Sequence, residues 1–150
     1  MKLSKLLEKK SGKIVTIDSN KTVSEAIKLL NKHNFGSLLV MNENRKLEGI
    51  ITERDILSKC SDDNRDNYEI KVAEVMTSHE NLIIGTADDT LSYAMRVMIN
   101  KRIRHLPIID KENVIGLLSI GDVLKEVLDQ SESEVKLLRE HIKNPYGINL

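Results

Sequence analysis

The segment Leu47-Glu48-Gly49-Ile50-Ile51-Thr52-Glu53-Arg54-Asp55-Ile56-Leu57 returns 67 residues later as Val114-Ile115-Gly116-Leu117-Leu118-Ser119-Ile120-Gly121-Asp122-Val123-Leu124. Each copy contains a glycine, an apolar pair, a hydroxyl residue and, three residues after the hydroxyl, an aspartate. A second pair of segments, Thr22-Val23-Ser24-Glu25-Ala26 and Thr90-Leu91-Ser92-Tyr93-Ala94, is separated by 68 residues. A repeat of this length is a complete folding unit, so the chain is predicted to contain one unit twice.

The composition of the chain excludes several classes of protein. The chain has 150 residues, and each half, at roughly 65 residues, would be marginally stable alone, so the halves are expected to fold against each other. The 23 basic and 23 acidic residues balance, which argues against nucleic-acid binding. No apolar run reaches the length of a membrane helix, and a single cysteine excludes an internal disulfide. A cytoplasmic protein without a membrane or metal site is therefore expected.

The periodicity of apolar residues predicts the same order of elements in both halves, which is strand, helix, strand, strand, helix. The first strand of the second half is predicted at residues 82–84, its last helix at 119–128 and a separate added helix at 132–142. The fold class is therefore α/β (α+β). The predicted organisation is an N-terminal helix and first repeat at 1–60, a polar linker at 61–76, a second repeat at 77–130 and a helical tail at 131–150.

The hydroxyl residues Thr52 and Ser119 stand where a strand passes into a helix, so each is expected to cap the helix that follows. Asp55 and Asp122 fall at the third position of these helices, where an acidic residue commonly closes a capping box. Such residues can serve the helix alone, or they can also bind a ligand. The spacing by itself leaves both interpretations open.

The tandem strand-helix-strand-strand-helix units, each with Gly-apolar-apolar-Thr/Ser-x-x-Asp, resemble a pair of cystathionine-β-synthase (CBS) domains, also called a Bateman module. Val75-Met76-Thr77 between the halves and Arg104-His105-Leu106-Pro107-Ile108 in the second half are similar to segments of that family. The resemblance covers about residues 13–130. It implies two tandem β-α-β-β-α repeats related by pseudo-two-fold symmetry, and a regulatory rather than catalytic protein. It also implies adenosyl ligands in clefts between the repeats and association into a homodimer that modulates an unidentified partner protein.

Under this resemblance the repeated polar residues acquire ligand-binding roles. One carboxylate can accept hydrogen bonds from both hydroxyls of a ribose, and helix N-termini favour phosphate. Arg54, Arg104 and His105 would supply positive charge. The counterparts of the last two are the small residues Gly36 and Ser37. The cleft that contains Asp122 is expected to be the better of two unequal sites, because Arg104 and His105 belong to the same repeat.

The predicted ligand-binding residues come from both repeats. They are Ile17, Gly36, Ser37, Thr52, Arg54, Asp55, Ile83, Arg104, His105, Pro107, Ser119 and Asp122. The basic residues favour AMP as the ligand, with ATP, ADP and NAD as alternatives. S-adenosylmethionine binding and a structural dimerisation module with non-functional pockets are the remaining hypotheses. No catalytic cofactor is expected.

Overall fold

The computed structural model describes residues 1–10 and 14–141 of the chain. The helices are α1 (Leu3–Lys9), α2 (Val23–His33), α3 (Glu53–Cys60), α4 (Val72–Val75), α5 (Leu91–Lys101) and α6 (Ile120–His141). The strands are β1 (Thr16–Asp18), β2 (Ser37–Met41), β3 (Leu47–Thr52), β4 (Thr77–Ser78), β5 (Gly85–Thr86), β6 (His105–Asp110) and β7 (Asn113–Ser119). A 3-10 turn covers His79–Asn81. The mixed α/β architecture in two similar halves confirms the predicted fold class.

The strands form two small mixed sheets in the orders β1-β2-β3-β4 and β5-β6-β7. In each sheet the first strand is parallel to the second, and the second and third form an antiparallel hairpin. The register slips between Val40 and Met41 in one hairpin and between Ile108 and Ile109 in the other. The repeats therefore match even at an irregularity, which is expected when bulges are features of a fold.

The helices that follow the first strand of each repeat bury the same face. Thr22 and Thr90 cap α2 and α5 by accepting a hydrogen bond from the amide three residues later. Behind the caps, α2 buries Val23, Ala26 and Leu30, and α5 buries the residues 68 positions further along. Burial at such helical spacing attaches each helix to its own sheet.

The short helices α1 and α4 occupy equivalent places, although one lies at the N-terminus and the other between the repeats. The amide of Leu3 donates to the carbonyl of Asp89, and the amide of Val72 donates to the carbonyl of Lys21, both at 2.8 Å. Each short helix is thereby fixed beside the cap of α5 or α2. Along the sequence, each repeating unit therefore begins with a short helix, α1 or α4. The spacing of the repeated segments alone did not indicate that these helices are equivalent.

Each short helix contributes apolar residues to one of two hydrophobic cores. Val72 and Val75 of α4 are buried in the core of the first repeat, and Leu3 and Leu6 of α1 are buried in the core of the second. The sequence-based division had placed the N-terminal helix with the first repeat. In the structure the chain therefore crosses between the repeats after α1, which ties the two halves together.

Two predicted elements differ in the structure. The strand expected at 82–84 is β5, at Gly85–Thr86, because the parallel ladder with β6 begins where Gly85 pairs with Ile108. The two helices expected after Ser119 are one continuous helix, α6. No glycine or proline occurs between Gly121 and Pro145, so nothing in the sequence stops the helix at the polar stretch near 129–133. Residues 142–150 lie outside the described part of the chain.

Candidate functional site

Two cavities lie where the repeats meet, and each combines residues of both repeats. The Asp55 cavity has a volume of about 410 Å³, and its lining includes Gly36, Thr52, Arg54, Asp55, Ile83, Arg102, Arg104 and His105. The Asp122 cavity has a volume of about 330 Å³, and its lining includes Leu7, Lys10, Val15, Asn34, Gly36, Ser37, His105, Ser119 and Asp122. Both volumes lie within the range of small-molecule sites.

Thr52 and Asp55 form a complete capping box at the start of α3. The amide of Asp55 donates to Thr52 Oγ1 at 3.0 Å, and the amide of Thr52 donates to Asp55 Oδ2 at 3.1 Å. The side chain of Lys59, one turn further along α3, lies 3.9 Å from Asp55 Oδ1, beyond hydrogen-bond distance. The cap therefore uses one carboxylate oxygen and leaves the other without a hydrogen bond from Lys59.

Ser119 and Asp122 repeat this box at the start of α6. The amide of Asp122 donates to Ser119 Oγ at 3.1 Å, and the amide of Ser119 donates to Asp122 Oδ2 at 2.8 Å. The capping role of all four residues is thus present in the structure. It does not exclude a ligand, because each carboxylate has a second oxygen.

Arginine side chains distinguish the Asp55 cavity. Arg54, Arg102 and Arg104 line it together with two carboxylates, those of Glu53 and Asp55. Arg102 is the C-cap residue of α5 and has a left-handed conformation with φ of 54°, which ends the helix beside this cavity. Three arginines among the lining residues can give this cavity the chemistry of an anion site.

Arg104 lies in a different cavity from the one expected. The expected preference for the Asp122 cleft assumed that Arg104 would line it, because both residues belong to the second repeat. In the structure Arg104 lines the cavity of Asp55. The reason is that each capping box faces the other repeat. The box at the start of α3 therefore lies beside the start of β6, where Arg104 is located.

His105 lies between the cavities and lines both. Burial lowers its pKa below the ordinary value of 6.5, and the charges of Lys10 and Arg104 lower it further, while Asp122 and Asp55 act in the opposite direction. The imidazole is therefore mainly neutral at pH 7. It can serve a ligand as a hydrogen-bonding group rather than as a fixed positive charge.

Lys10 forms an ion pair with the carboxylate of the Asp122 cavity, through the same oxygen that accepts the amide of Ser119. Its Nζ donates to Asp122 Oδ2 at 2.8 Å and to the carbonyl oxygen of Leu117 at 2.7 Å. Burial by itself raises the pKa of Asp122, but the hydrogen bonds from Lys10 and from the Ser119 amide outweigh it and bring the pKa below the ordinary value of 3.8. The acid is ionised and already paired within the chain.

Ten of the twelve predicted residues line one or both cavities. Ile17 and Pro107 do not line either of them. Both residues are buried. Ile17 of β1 belongs to the first hydrophobic core, and Pro107 lies within β6 opposite Leu117 of β7. Val15, two residues before Ile17 and on the same side of the extended chain, takes the lining position instead.

Several lining residues were not predicted from the sequence, among them Lys10, Val15, Asn34 and Arg102. The repeat offset of 68 contained a signal for Val15, because it connects Val15 with the predicted residue Ile83, whereas it connects Asn34 only with Arg102, which was not predicted either. No such signal existed for Lys10, because its contact with Asp122 depends on how the end of α1 lies beside the start of α6.

Neither a membrane-spanning helix nor a metal-binding cluster was found in the described residues. No helix within 1–10 and 14–141 combines the length and apolarity needed to cross a bilayer. The same residues contain no group of three or more His, Cys, Asp or Glu side chains that could hold a metal ion.

Comparison with known proteins places this architecture in a family. The CBS domain model matches residues 10–62 and 72–129. The chain is 39% identical over 127 residues to the mitochondrial CBS domain-containing protein CBSX3 of Arabidopsis thaliana, covering 83% of this chain and 62% of that protein. It is 32% identical over 121 residues to the CBS domain-containing protein YhcV of Bacillus subtilis, covering 81% and 84%.

A solved structure agrees with these matches. A CBS-domain protein of Agrobacterium tumefaciens superposes with a TM-score of 0.77 at 28% identity, covering 84% of this chain and 98% of that one. The chain spans less than two thirds of the Arabidopsis relative, so that protein's whole activity does not transfer. CBS-domain proteins are generally regulatory modules that sense adenine nucleotides, and their stand-alone members are not catalytic. This chain belongs to the CBS-domain family and contains two CBS domains in tandem.

Proposed function

We propose that this protein is a regulatory module that binds an adenosine phosphate, AMP by preference, in the Asp55 cavity. The observation that carries the proposal is that Asp55 and three arginines line one cavity of small-molecule size. ATP, ADP and NAD share the same adenosine phosphate unit and are the alternatives. No catalytic cofactor or turnover is part of the proposal.

Asp55 would bind the ribose. Its Oδ2 accepts the amide of Thr52, and its Oδ1 is not engaged within hydrogen-bond distance by Lys59. A carboxylate oxygen fixed in this way can accept a hydrogen bond from a ribose hydroxyl without reorganising, and charged acceptors form the stronger bonds. The capping box therefore supports ligand binding because it holds the carboxylate in one orientation.

Arg54, Arg102 and Arg104 would bind the phosphate. A guanidinium group can contact two phosphate oxygens at once, and it stays charged at any physiological pH. The same positive charge opposes the sulfonium of S-adenosylmethionine, which makes this ligand a weaker candidate. The number of arginines favours an anion over a neutral nucleoside.

The apolar part of the lining would accept the adenine ring. Ile50, Leu82, Ile83 and Ile103 all line the Asp55 cavity. None of the lining residues of this cavity is a Phe, Tyr or Trp, so the ring would be held between aliphatic side chains. Burial of the ring against aliphatic side chains removes apolar surface from water, which favours binding.

Isothermal titration with AMP, ADP, ATP, NAD, adenosine and S-adenosylmethionine tests the proposal. AMP is expected to bind more tightly than adenosine. Arg104→Ala should weaken AMP binding by about 1.5–3 kcal/mol, the range for a hydrogen bond to a charged group, and should change adenosine binding much less. Arg96→Ala, an exposed arginine outside both cavities, is the matched control. Equal losses for AMP and adenosine would contradict a phosphate role for Arg104.

A structural dimerisation module with non-functional pockets is the second candidate. Two observations favour it: all four box residues are satisfied as helix caps, and Lys10 already pairs with Asp122. Thermal denaturation separates the candidates. A ligand present at 100 times its Kd stabilises the fold by about 2.7 kcal/mol, so an unchanged Tm with the whole panel at millimolar concentration would favour the structural role.

Regulation would require that the ligand distinguishes two states of the protein. A ligand shifts an equilibrium only as far as its affinities for the two states differ. The Asp55 cavity combines residues of both repeats, so a bound nucleotide would bias how the repeats sit and what a partner protein contacts. A cytoplasmic location and the absence of nucleic-acid binding remain predictions.

A further inference from the structure

The Asp55 cavity contains a second carboxylate, that of Glu53, which the proposed ribose and phosphate contacts do not use. Glu53 is the first residue of α3, and its amide donates to the carbonyl oxygen of Gly36 at 3.0 Å. The capping box of Thr52 and Asp55 fixes the same turn of the helix. The backbone of Glu53 is therefore held at the cavity by hydrogen bonds, while its side chain is exposed to solvent and to any bound ligand.

Charges of both signs lie at this cavity without pairing. Arg54, Arg102 and Arg104 line it together with Glu53. Among the residues that the structure describes, none of the ion pairs within 4.0 Å involves any of these four side chains. Arg102 follows α5 and Arg104 precedes β6, so separate elements hold these two arginines apart from the start of α3. The unpaired arginines attract an anion, and the unpaired carboxylate opposes one.

The second repeat shows that an acid is not required at this position of the fold. The counterpart of Glu53, 67 residues later, is Ile120, an apolar residue that packs against the second core. An acid in the first turn does favour a helix through the helix dipole. That contribution concerns stability alone and predicts no difference between ligands, whereas a role at the cavity predicts one.

The net charge of the cavity limits how many phosphates it favours. Three arginines against the two carboxylates of Glu53 and Asp55 leave one net positive charge, with His105 mainly neutral. A monophosphate carries a charge of about −1.5 to −2 at neutral pH, and each further phosphate adds negative charge. The cavity therefore offsets much of the charge of a monophosphate and little of that of a triphosphate. A repulsive group that rejects a similar ligand is one of the two ways in which binding sites become specific.

We infer that Glu53 is a specificity-determining residue, which selects adenosine monophosphate over the di- and triphosphate by repelling the additional phosphates. This inference rests on the proposed function of the Asp55 cavity. The cavity volume of about 410 Å³ is near the smaller end of the range for small-molecule sites, which favours the same ligand by size. The role of Glu53 can be separated from size, because glutamine has nearly the same volume and no charge.

Titration calorimetry of the full chain with AMP and with ATP tests the role of Glu53. Glu53→Gln should tighten ATP binding by about two- to fivefold, the effect of one charge at an exposed site, and should change AMP binding less. Glu53→Lys should extend the trend. Glu43→Gln changes an exposed acid in the turn between β2 and β3, outside both cavities, and is the matched control that should affect neither ligand. Added salt should reduce the difference between Glu53→Gln and the wild type, because screening weakens repulsion between exposed charges.

The outcomes separate the role of Glu53 from the nucleotide site itself. A ratio of AMP to ATP affinity that is the same in Glu53→Gln and in the wild type would overturn the role of Glu53 and leave the site in place. Weaker ATP binding by Glu53→Gln that occurs only with Mg²⁺ would also overturn it, because Glu53 would then be a ligand of the metal that accompanies ATP. Binding of no adenosine phosphate by the wild type would contradict the proposed function and this inference together. Urea denaturation verifies that each variant is folded.

Discussion

The Asp55 and Asp122 cavities begin from the same capping box and differ in what the rest of the chain brings to them. Beside Asp55, the connector between the repeats forms β4, and Thr77 pairs with Ile50 of β3 through the backbone. Beside Asp122, the end of α1 brings a lysine side chain to the equivalent part of β7, where it binds the carbonyl of Leu117. A backbone strand on one side is thus replaced by an ammonium group on the other.

This difference decides the charge that each cavity offers. The Asp55 cavity contains three arginines, and its carboxylate is not paired at hydrogen-bond distance with a basic side chain. In the Asp122 cavity the carboxylate is paired with Lys10 at 2.8 Å. Duplication therefore preserved the local motif, while the segments around it made the two copies unequal.

The largest expected effect comes from removing one carboxylate charge at a time. Asp55→Asn keeps an oxygen that can cap α3 but removes the charge, and it should weaken AMP binding by about 1.5–3 kcal/mol. Asp122→Asn should change AMP affinity little, since Lys10 already neutralises that carboxylate. Titration calorimetry measures both. A larger loss for Asp122→Asn would reverse the assignment of the site.

The equivalent glycines of the two hairpins should respond differently to a methyl group. A Cβ at Gly49 would collide with the backbone oxygen of Thr77, whereas a Cβ at Gly116 would collide with the flexible side chain of Leu7. Gly49→Ala is expected to lower the free energy of unfolding by about 1–3 kcal/mol, as overpacking commonly does. Gly116→Ala should cost less, because Leu7 can change rotamer. Urea denaturation provides the comparison, and equal costs would mean that α1 is as rigid as β4.

Removing Lys10 should make the cavities more alike. Lys10→Met keeps the aliphatic part of the side chain and removes the charge that neutralises Asp122, so a second and weaker nucleotide site is expected in calorimetry. Both partners of this ion pair are partly exposed, so its loss should cost only about 0.5–1 kcal/mol of stability. Lys5→Met, on the exposed side of α1, is the control. An unchanged stoichiometry together with unchanged affinity would show that Lys10 does not block the site.

The smallest expected effect is in the dependence of stability on pH. The pKa of His105 is lowered in the folded state. Its contribution to the free energy of unfolding is therefore present above about pH 6.5 and is lost as the pH falls below that value. The pKa of Asp122 is also lowered, so the stability that this carboxylate contributes is lost as well, but only as the pH falls below about 3.8. Urea denaturation of His105→Asn should show a flatter profile between pH 7.5 and pH 5.5. A slope equal to that of the wild type would assign the acid sensitivity to other groups.

Short-range features of this chain were predictable because they depend on residues close in sequence. The capping boxes of Thr52 with Asp55 and of Ser119 with Asp122 involve atoms three residues apart, and spacing indicated them correctly. The repeat itself indicated two equal units. The prediction of separate helices at 119–128 and 132–142 was wrong, because α6 continues through the polar residues between them, which an exposed helix tolerates.

The cavity in which each site residue lies depends on how the two repeats pack, and it could not be predicted from spacing along the sequence. Arg104 was assigned to its own repeat's cleft, but it lines the cavity of the other capping box. Lys10 and Asp122 are more than a hundred residues apart in sequence, and only the position of α1 on the second core brings them into contact.

By itself the sequence determined that one unit occurs twice, which residues form its caps and cores, and which carboxylates stand at the starts of two helices. These follow from local spacing and from the period of apolar residues. Only the tertiary structure decided which arginines meet which carboxylate, and that one carboxylate is paired with a lysine. The reason is physical: charges interact across space, and the contacts between repeats depend on how two separate hydrophobic cores are packed against each other.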